Sequence, residues 1–142
     1  MMQHVLITGG FGYLGGRLAQ HLATQARYEV LLGSRQQAES PPWLPSANVV
    51  QIRWESLANL EHVCTGVDII VHLAGMNSQD CATDTIAALE FNAVNTARML
   101  RAAIQQGVKR FIYLSTAHVY GSPLVGVITE ETCPVNLHPY AT

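Results

Sequence analysis

Between Thr8 and Gly16 the chain reads TGGFGYLGG, five glycines in nine residues, directly behind the apolar run VLIT. Glycine is the poorest ordinary helix former and packs no side chain, so such a concentration signals a need for bare backbone. Two spacings overlap here, Gly10-x-Gly12-x-x-Gly15 and Gly9-x-x-Gly12-x-x-Gly15. Either lets a chain turn tightly and bring free amides close to a paired phosphate. Those amides would belong to Gly9, Gly10, Phe11, Gly12, Tyr13, Leu14 and Gly15. Further on, the segment LLGSRQQ offers Ser34 and Arg35, with no carboxylate before Glu39. A hydroxyl beside a guanidinium suits a phosphate monoester better than a sugar hydroxyl. The remaining reactive types are dispersed. His4, His21, His62, His72 and His138 lack metal-ligand spacing, so no metal site is expected. Cys64, Cys81 and Cys133 form no C-x-x-C pair and read as buried, reduced thiols.

Short apolar runs alternate with segments of helical period, and these elements must position the corner. HVLIT (4–8) reads as a buried strand, followed from Gly12 by a helix with Leu14, Leu18 and Leu22 on one face. YEVLLG (28–33) predicts a second strand and PPWLPSAN (41–48) a proline-rich loop in which Trp43 anchors. NVVQIRW (48–54) predicts a third strand, and SLANLEHVC (56–64) a helix capped by Ser56. DIIVHLAG (68–75), apolar on both faces, suits a central parallel strand, with His72 a satisfied core residue. A long helix is expected over about 80–106. Ile86, Leu89, Ala93, Ala97, Leu100 and Ile104 trace one stripe along it, and Gly107 stands where it should end. RFIYLST (110–116) predicts a fifth strand, and the tail from 121 is turn-rich. Such alternation implies an α/β fold with a doubly wound parallel sheet, one domain over 1–142. Its ligand lies at the carboxyl ends of the strands, beside the first. Together with the glycines this points to a dinucleotide. Ser34 and Arg35 then favour NADP over NAD, because NAD recognition uses an acidic side chain at that place.

Composition sets outer limits. The chain has 142 residues, 49% apolar and 13% charged, with net charge −2. That balance gives no basic surface for nucleic acid or an anionic membrane. No apolar run approaches the roughly 20 residues that cross a bilayer, and no signal peptide is apparent, so a cytoplasmic location is expected.

The ordered set TGGFGYLGG, DIIVHLAG, STAHVYG and PY resembles the extended short-chain dehydrogenase/reductase family, in its sugar-nucleotide epimerase/dehydratase branch. The resemblance implies a Rossmann domain binding NAD(P) and a catalytic Thr/Ser, Tyr and Lys. It places Thr116 on the catalytic hydroxyl, with Ser115 beside it, and Tyr140 on the catalytic tyrosine. Asn92 in FNAVNT resembles a helix asparagine of the family's cofactor site, although Asn95 stands where a glycine is usual. Glu55, with Ser56 next to it, stands where relatives carry an adenine-binding Asp. Leu73, Ala74 and Gly75 are further cofactor candidates, because small residues after the fourth strand let backbone approach a ribose. Tyr120 and Gly121 follow a structural turn.

In such enzymes hydride transfer is coupled to proton transfer through the tyrosine, whose phenol ionises near pH 10 in water. The lysine expected four residues beyond Tyr140 falls past Thr142. Without it a phenolate at pH 7 costs roughly 4 kcal/mol. The expectation is therefore the N-terminal piece of a longer enzyme, inactive alone, lacking its last strands and its C-terminal substrate domain. Dehydratases of the branch carry Asp-Glu after the catalytic Thr. Ala117 and His118 stand there instead, which leaves epimerase or reductase chemistry on a nucleotide sugar. A homodimer is the expected assembly of the whole protein. A non-catalytic NAD(P)-binding regulatory module of the same fold stays open as the alternative.

Overall fold

The computed structural model describes residues 2–142. Its chain divides into two compact units, one running to Ala74 and taking up again over Asn95–Leu114, the other comprising Gly75–Val94 and Ser115–Thr142.

The first unit is built on a parallel sheet. Its strands are β1 (Gln3–Thr8), β2 (Tyr28–Ser34), β3 (Asn48–Gln51), β4 (Ile69–His72) and β5 (Arg110–Tyr113), in the spatial order β3-β2-β1-β4-β5. The order reverses at β1, with Thr8 in register with Gly33 on one side and with His72 on the other. A doubly wound sheet binds its ligand outside the carboxyl ends at such a reversal. At the opposite ends of these strands the Asp68 carboxylate takes the Lys109 ammonium at 2.7 Å and the His4 amide at 3.0 Å. Those partners, Lys109 first, hold its pKa below the usual carboxylate value.

Helix α1 (Tyr13–Ala23) lays Gly15 and Ala19 on the sheet, with Leu18 and Leu22 packed beside a core that includes Val5, Ile7, Val30 and Leu32. Leu14 points away from this core and is exposed. Ser56 caps α2 (Leu57–Cys64) by accepting from the Asn59 amide. β3 ends earlier than the apolar run NVVQIRW suggests. The Arg53 amide donates to the Asn59 side chain at 2.7 Å rather than to a neighbouring strand, while Ile52 and Trp54 stay buried. That burial gave a loop the hydropathy of a strand.

The long helix expected over about 80–106 is instead broken into α3 (Ser78–Thr83), α4 (Thr85–Ala88), a π-helical turn over Leu89–Val94, and α5 (Asn95–Gln105). Asn77 and Asp84 each accept from the amide three residues on, so each starts a fresh helix. The breaks and the π turn shift the phase of the apolar pattern. The predicted stripe is therefore not the buried face: Ile86 is 79% exposed and Ile104 70%. In the first unit the face of α5 that packs with α2 carries Met99, Ala102 and Ala103, all buried. Gly107, at φ +72°, does end α5 as expected. The Cys64 thiol donates to Met99 Sδ at 3.7 Å, and burial pushes it up to about 11, so it is an inert core group. Cys81 is buried too, but Cys133 is exposed, contrary to the expectation of buried thiols throughout.

The phase of α5 can be tested by truncation. Met99→Ala is expected to lower the unfolding free energy by about 2–5 kcal/mol in urea denaturation. Leu100→Ala, on the predicted stripe, should cost less than about 1 kcal/mol. The reverse ranking would place the stripe against the core.

Candidate functional site

The glycine corner follows directly from β1. Gly9 stands at φ +68°, where an L side chain is strained, and a Cβ there would lie 3.0 Å from the Ala74 nitrogen. Its carbonyl accepts the Gly12 amide at 2.9 Å. Gly15 is more constrained still, because a Cβ on it would lie 2.3 Å from the Gly9 oxygen. Helix α1 thus starts directly on the turn. No side chain caps it, and its first internal bond runs from the Gly16 amide to the Gly12 carbonyl. The amides of Tyr13, Leu14 and Gly15 are therefore left without intrahelical acceptors at the positive end of the helix. This is the cradle a pyrophosphate requires. The Gly9/Gly12/Gly15 spacing carries it, while Gly10 packs under Leu32. Phe11 and Trp43 meet edge to face above the first turn, with ring centroids 6.3 Å apart, and Trp43 also reaches Gly16.

Ser34 and Arg35 lie at the carboxyl end of β2. Ser34 Oγ accepts the Gln36 amide at 3.2 Å, which leaves its proton free to be donated. The Arg35 guanidinium has no ion-pair partner among the described residues. Its carbonyl accepts from Gln51 Nε2 at 3.3 Å, and Arg53 Nη2 donates to Gln51 Oε1 at 3.5 Å. Gln51 and Arg53 are thus neighbours of this edge that the sequence reading passed over, since it buried both inside a longer strand. Glu55 is exposed on the turn after them, and the Ser56 side chain is engaged as a helix cap.

Behind the corner sits His72, buried at the end of β4. Its Nδ1 lies 2.8 Å from Thr8 Oγ1 and its Nε2 lies 2.9 Å from Thr96 Oγ1. Thr8 Oγ1 also accepts from the amides of Leu73 and Ala74, at 3.1 and 3.2 Å. With both lone pairs so engaged, the one proton of Thr8 goes to His72 Nδ1. The ring is therefore neutral, with its own proton on Nε2 donated to Thr96. Around it stand Trp54 from the turn before α2 and Phe111 and Tyr113 from β5. Burial draws its pKa from 6.5 down to about 4.

The remaining expected site residues fall in the second unit. Asn92, in the π turn, accepts the Met76 amide at 2.7 Å and donates to the Met76 carbonyl at 3.2 Å and to Cys81 Sγ at 3.4 Å. It fixes the loop that begins at Gly75. Burial, with a smaller rise from Asp80 and an opposing bond from Asn92, pushes the Cys81 thiol up. Thr116 caps a 3-10 turn over Ala117–Tyr120 and accepts the His118 amide at 3.2 Å, keeping its own proton free. Ser115 precedes it in an extended segment. The tail returns against this turn, because Val119 O accepts from Val135 and Asn136, and Asn136 Nδ2 donates to His118 O. Tyr140, whose amide donates to His138 Nδ1, then meets the His118 ring edge to face with centroids 6.0 Å apart. A hydroxyl, an imidazole and a phenol are thereby gathered within one unit.

Two outcomes test this geometry. Gly15→Ala should lose about 1–3 kcal/mol of stability by overpacking. Gly16→Ala, whose Cβ would stand 3.5 Å from Trp43, should be tolerated. Both are read by thermal and urea unfolding, and equal tolerance would contradict the close approach. The second outcome concerns acid. Below its unfolded pKa of 6.5 the unfolded His72 takes up a proton that the folded ring, at about 4, refuses. The stability it contributes is complete above pH 6.5 and is lost as pH falls towards 4, roughly 3 kcal/mol in all. Urea titrations at pH 7 and pH 4.5 should show this slope in the wild type and a flatter one in His72→Asn. The same slope in both would clear His72 of the effect.

The model of the NAD dependent epimerase/dehydratase family matches residues 5–142. The chain is 25% identical over 139 residues to a UDP-glucose 4-epimerase of Halalkalibacterium halodurans, covering 96% of this chain and 41% of that protein. It superposes with a TM-score of 0.85, at 22% identity, on the UDP-Glc/GlcNAc 4-epimerase of Campylobacter jejuni, over 98% of this chain and 45% of that one. A second structure, the UDP-glucose 4-epimerase of Bifidobacterium longum in complex with NAD+ and UDP, matches at 25% identity and a TM-score of 0.82, with the same two shares. The chain thus spans about two fifths of the length of the curated relatives it matches. The fold is Rossmann-type, and the chain belongs to the NAD dependent epimerase/dehydratase family.

Proposed function

We propose that this chain is the cofactor-binding part of an NAD(P)-dependent sugar-nucleotide epimerase or reductase. The observation that carries the proposal is the uncapped start of α1, held so close to β1 that only glycine fits at positions 9 and 15. A pyrophosphate meets open amides and the positive helix end there, with no Cβ in between. Similarity to UDP-sugar epimerases supports a nucleotide-sugar substrate. A homodimer in the complete protein remains part of the proposal.

When bound, the nicotinamide supplies the hydride acceptor and donor; the chain's own residues bind, orient and move the proton. Thr116 retains a donor proton for a substrate oxygen. Tyr140 is the acid/base that exchanges a proton with the reacting hydroxyl as the hydride moves. The absence of carboxylates at Ala117 and His118 favours epimerase or reductase chemistry over dehydration. Asn92 acts through the loop at Gly75 and Met76. Glu55 is assigned to the adenine end.

The preferred cofactor form is NADP. The B. longum relative holds NAD+, so the preference rests on Ser34 and Arg35 themselves. A free hydroxyl proton, a guanidinium without an ion-pair partner among the described residues and no carboxylate at the end of β2 suit a 2′-phosphate. Calorimetric titration of the chain with both cofactors is expected to show tighter NADP binding. Arg35→Ala should weaken NADP about 10- to 100-fold and leave NAD within about threefold, as loss of a charge-assisted contact implies. Equal affinities, or equal losses, would remove the preference. No binding of either cofactor would remove the functional reading itself. For the catalytic assignment, Tyr140→Phe in an active polypeptide carrying this sequence should abolish turnover of a UDP-sugar while cofactor affinity is retained. Sustained turnover would reassign the acid/base.

A further inference from the structure

We propose that His72 and Thr8 act together as positioning residues for the dinucleotide corner, an inference that rests on the cofactor reading above. The chain of contacts is continuous. His72 Nδ1 takes the Thr8 proton, which commits both Thr8 lone pairs to the amides of Leu73 and Ala74. The Leu73–Ala74 peptide is thereby drawn against the bare Cα of Gly9, where even a Cβ would come within 3.0 Å of the Ala74 nitrogen. Gly9 in turn receives the Gly12 amide and faces Gly15, so its place sets the first turn of α1. The Leu73 amide also reaches the Thr8 carbonyl at 3.3 Å, so it is the Ala74 amide whose place at the reversal point rests on the Thr8 hydroxyl, and a histidine decides that hydroxyl's direction.

A simple packing role does not require this arrangement. An apolar side chain would fill the space between Trp54, Phe111 and Tyr113 without desolvating an imidazole. The Thr8 hydroxyl would then lack an acceptor in a fully buried place, a loss that buried polar groups rarely sustain. The second nitrogen matters for direction rather than strength. Thr96 accepts from Nε2, which leaves Nδ1 as the acceptor and so prevents Thr8 from turning its proton elsewhere. The network has one consistent set of donors and acceptors, and that set points the Thr8 lone pairs at the peptide beside the corner.

The test separates acceptor from filler. Asparagine at position 72 can place a carbonyl where Nδ1 stands and still accept from Thr8. Glutamine can place an amide where Nε2 stands, serving Thr96 and leaving Thr8 without an acceptor. Both lose the ring, so both lower the melting temperature. Calorimetric titration with NADPH and NADH at pH 7.5, at a temperature where every variant is folded, is expected to show His72→Asn within about threefold of wild type. His72→Gln should be weaker by at least tenfold. Thr8→Ser should bind as wild type, and the near-isosteric Thr8→Val should weaken binding by at least tenfold. Hydrogen exchange at the Ala74 amide should be faster in Thr8→Val and unchanged in Thr8→Ser. Affinity that follows the melting temperature alone across the variants would overturn the proposal. If wild type binds neither cofactor, the functional reading falls separately. The Ala74 exchange rate then still decides, and an unchanged rate in Thr8→Val would overturn the positioning role.

Discussion

The first unit depends on one close approach, that of two backbone segments at Gly9. On one side the Gly9 carbonyl meets the start of α1 at Gly15; on the other, its Cα meets the peptide that leaves β4. A methyl group at either glycine would collide with backbone, which cannot swing aside as a side chain does. Closing the turn this tightly leaves the first amides of α1 with no protein acceptor. A helix start that is uncapped costs on the order of 1 kcal/mol relative to one with a good cap. The same omission leaves those amides available to an anion. Stability is therefore exchanged for a binding surface at one place, and the surrounding core offsets the cost.

That offset includes an expensive component. Burying an imidazole requires that its polar atoms be bonded, and the structure satisfies both nitrogens with threonine hydroxyls on either side. Trp54, Phe111 and Tyr113 pack around the ring, which is itself only 2% exposed. In such surroundings a hydrogen bond is directional and stronger than in water, and its loss is correspondingly more costly. The neutral state of His72 follows from this burial, with no neighbouring charge needed. Asp68, at the far ends of the same strands, shows the contrasting case. It stays at the surface, where a lysine and a backbone amide stabilise its charged form.

What the sequence revealed follows the same physics. Steric need for glycine leaves a compositional trace, so the corner could be read from TGGFGYLGG, and the alternation of apolar runs disclosed the sheet. The cap at Ser56 and the stop at Gly107 were also visible, because both are local. Features that depend on competition between local and distant partners were not. Asp84 looks like an ordinary helix residue until its side chain takes the Ala87 amide and restarts the helix. Ile86 in α4 and Leu89 at the start of the π turn are both exposed, so the stripe drawn through them is not a buried face. Ile52 and Trp54 are buried in a loop, and burial alone cannot distinguish loop from strand. Thr8 and His72 were each placed correctly, but 64 residues separate them, and no spacing rule couples them.

The two units do their work with different parts of the chain, and this bears on how much sequence their roles demand. The corner uses peptide amides and the absence of side chains, which any sequence supplies once a few glycines stand in place. In the second unit the polar groups on offer are side chains: Thr116 Oγ1 accepts the His118 amide, and the His118 ring meets Tyr140. Backbone recognition tolerates wide divergence in the residues around it; side-chain chemistry does not. A chain can therefore keep a TM-score of 0.85 to an epimerase at 22% identity. The corner is thus held by main-chain sterics, which constrain the glycines and leave the side chains around them free to vary.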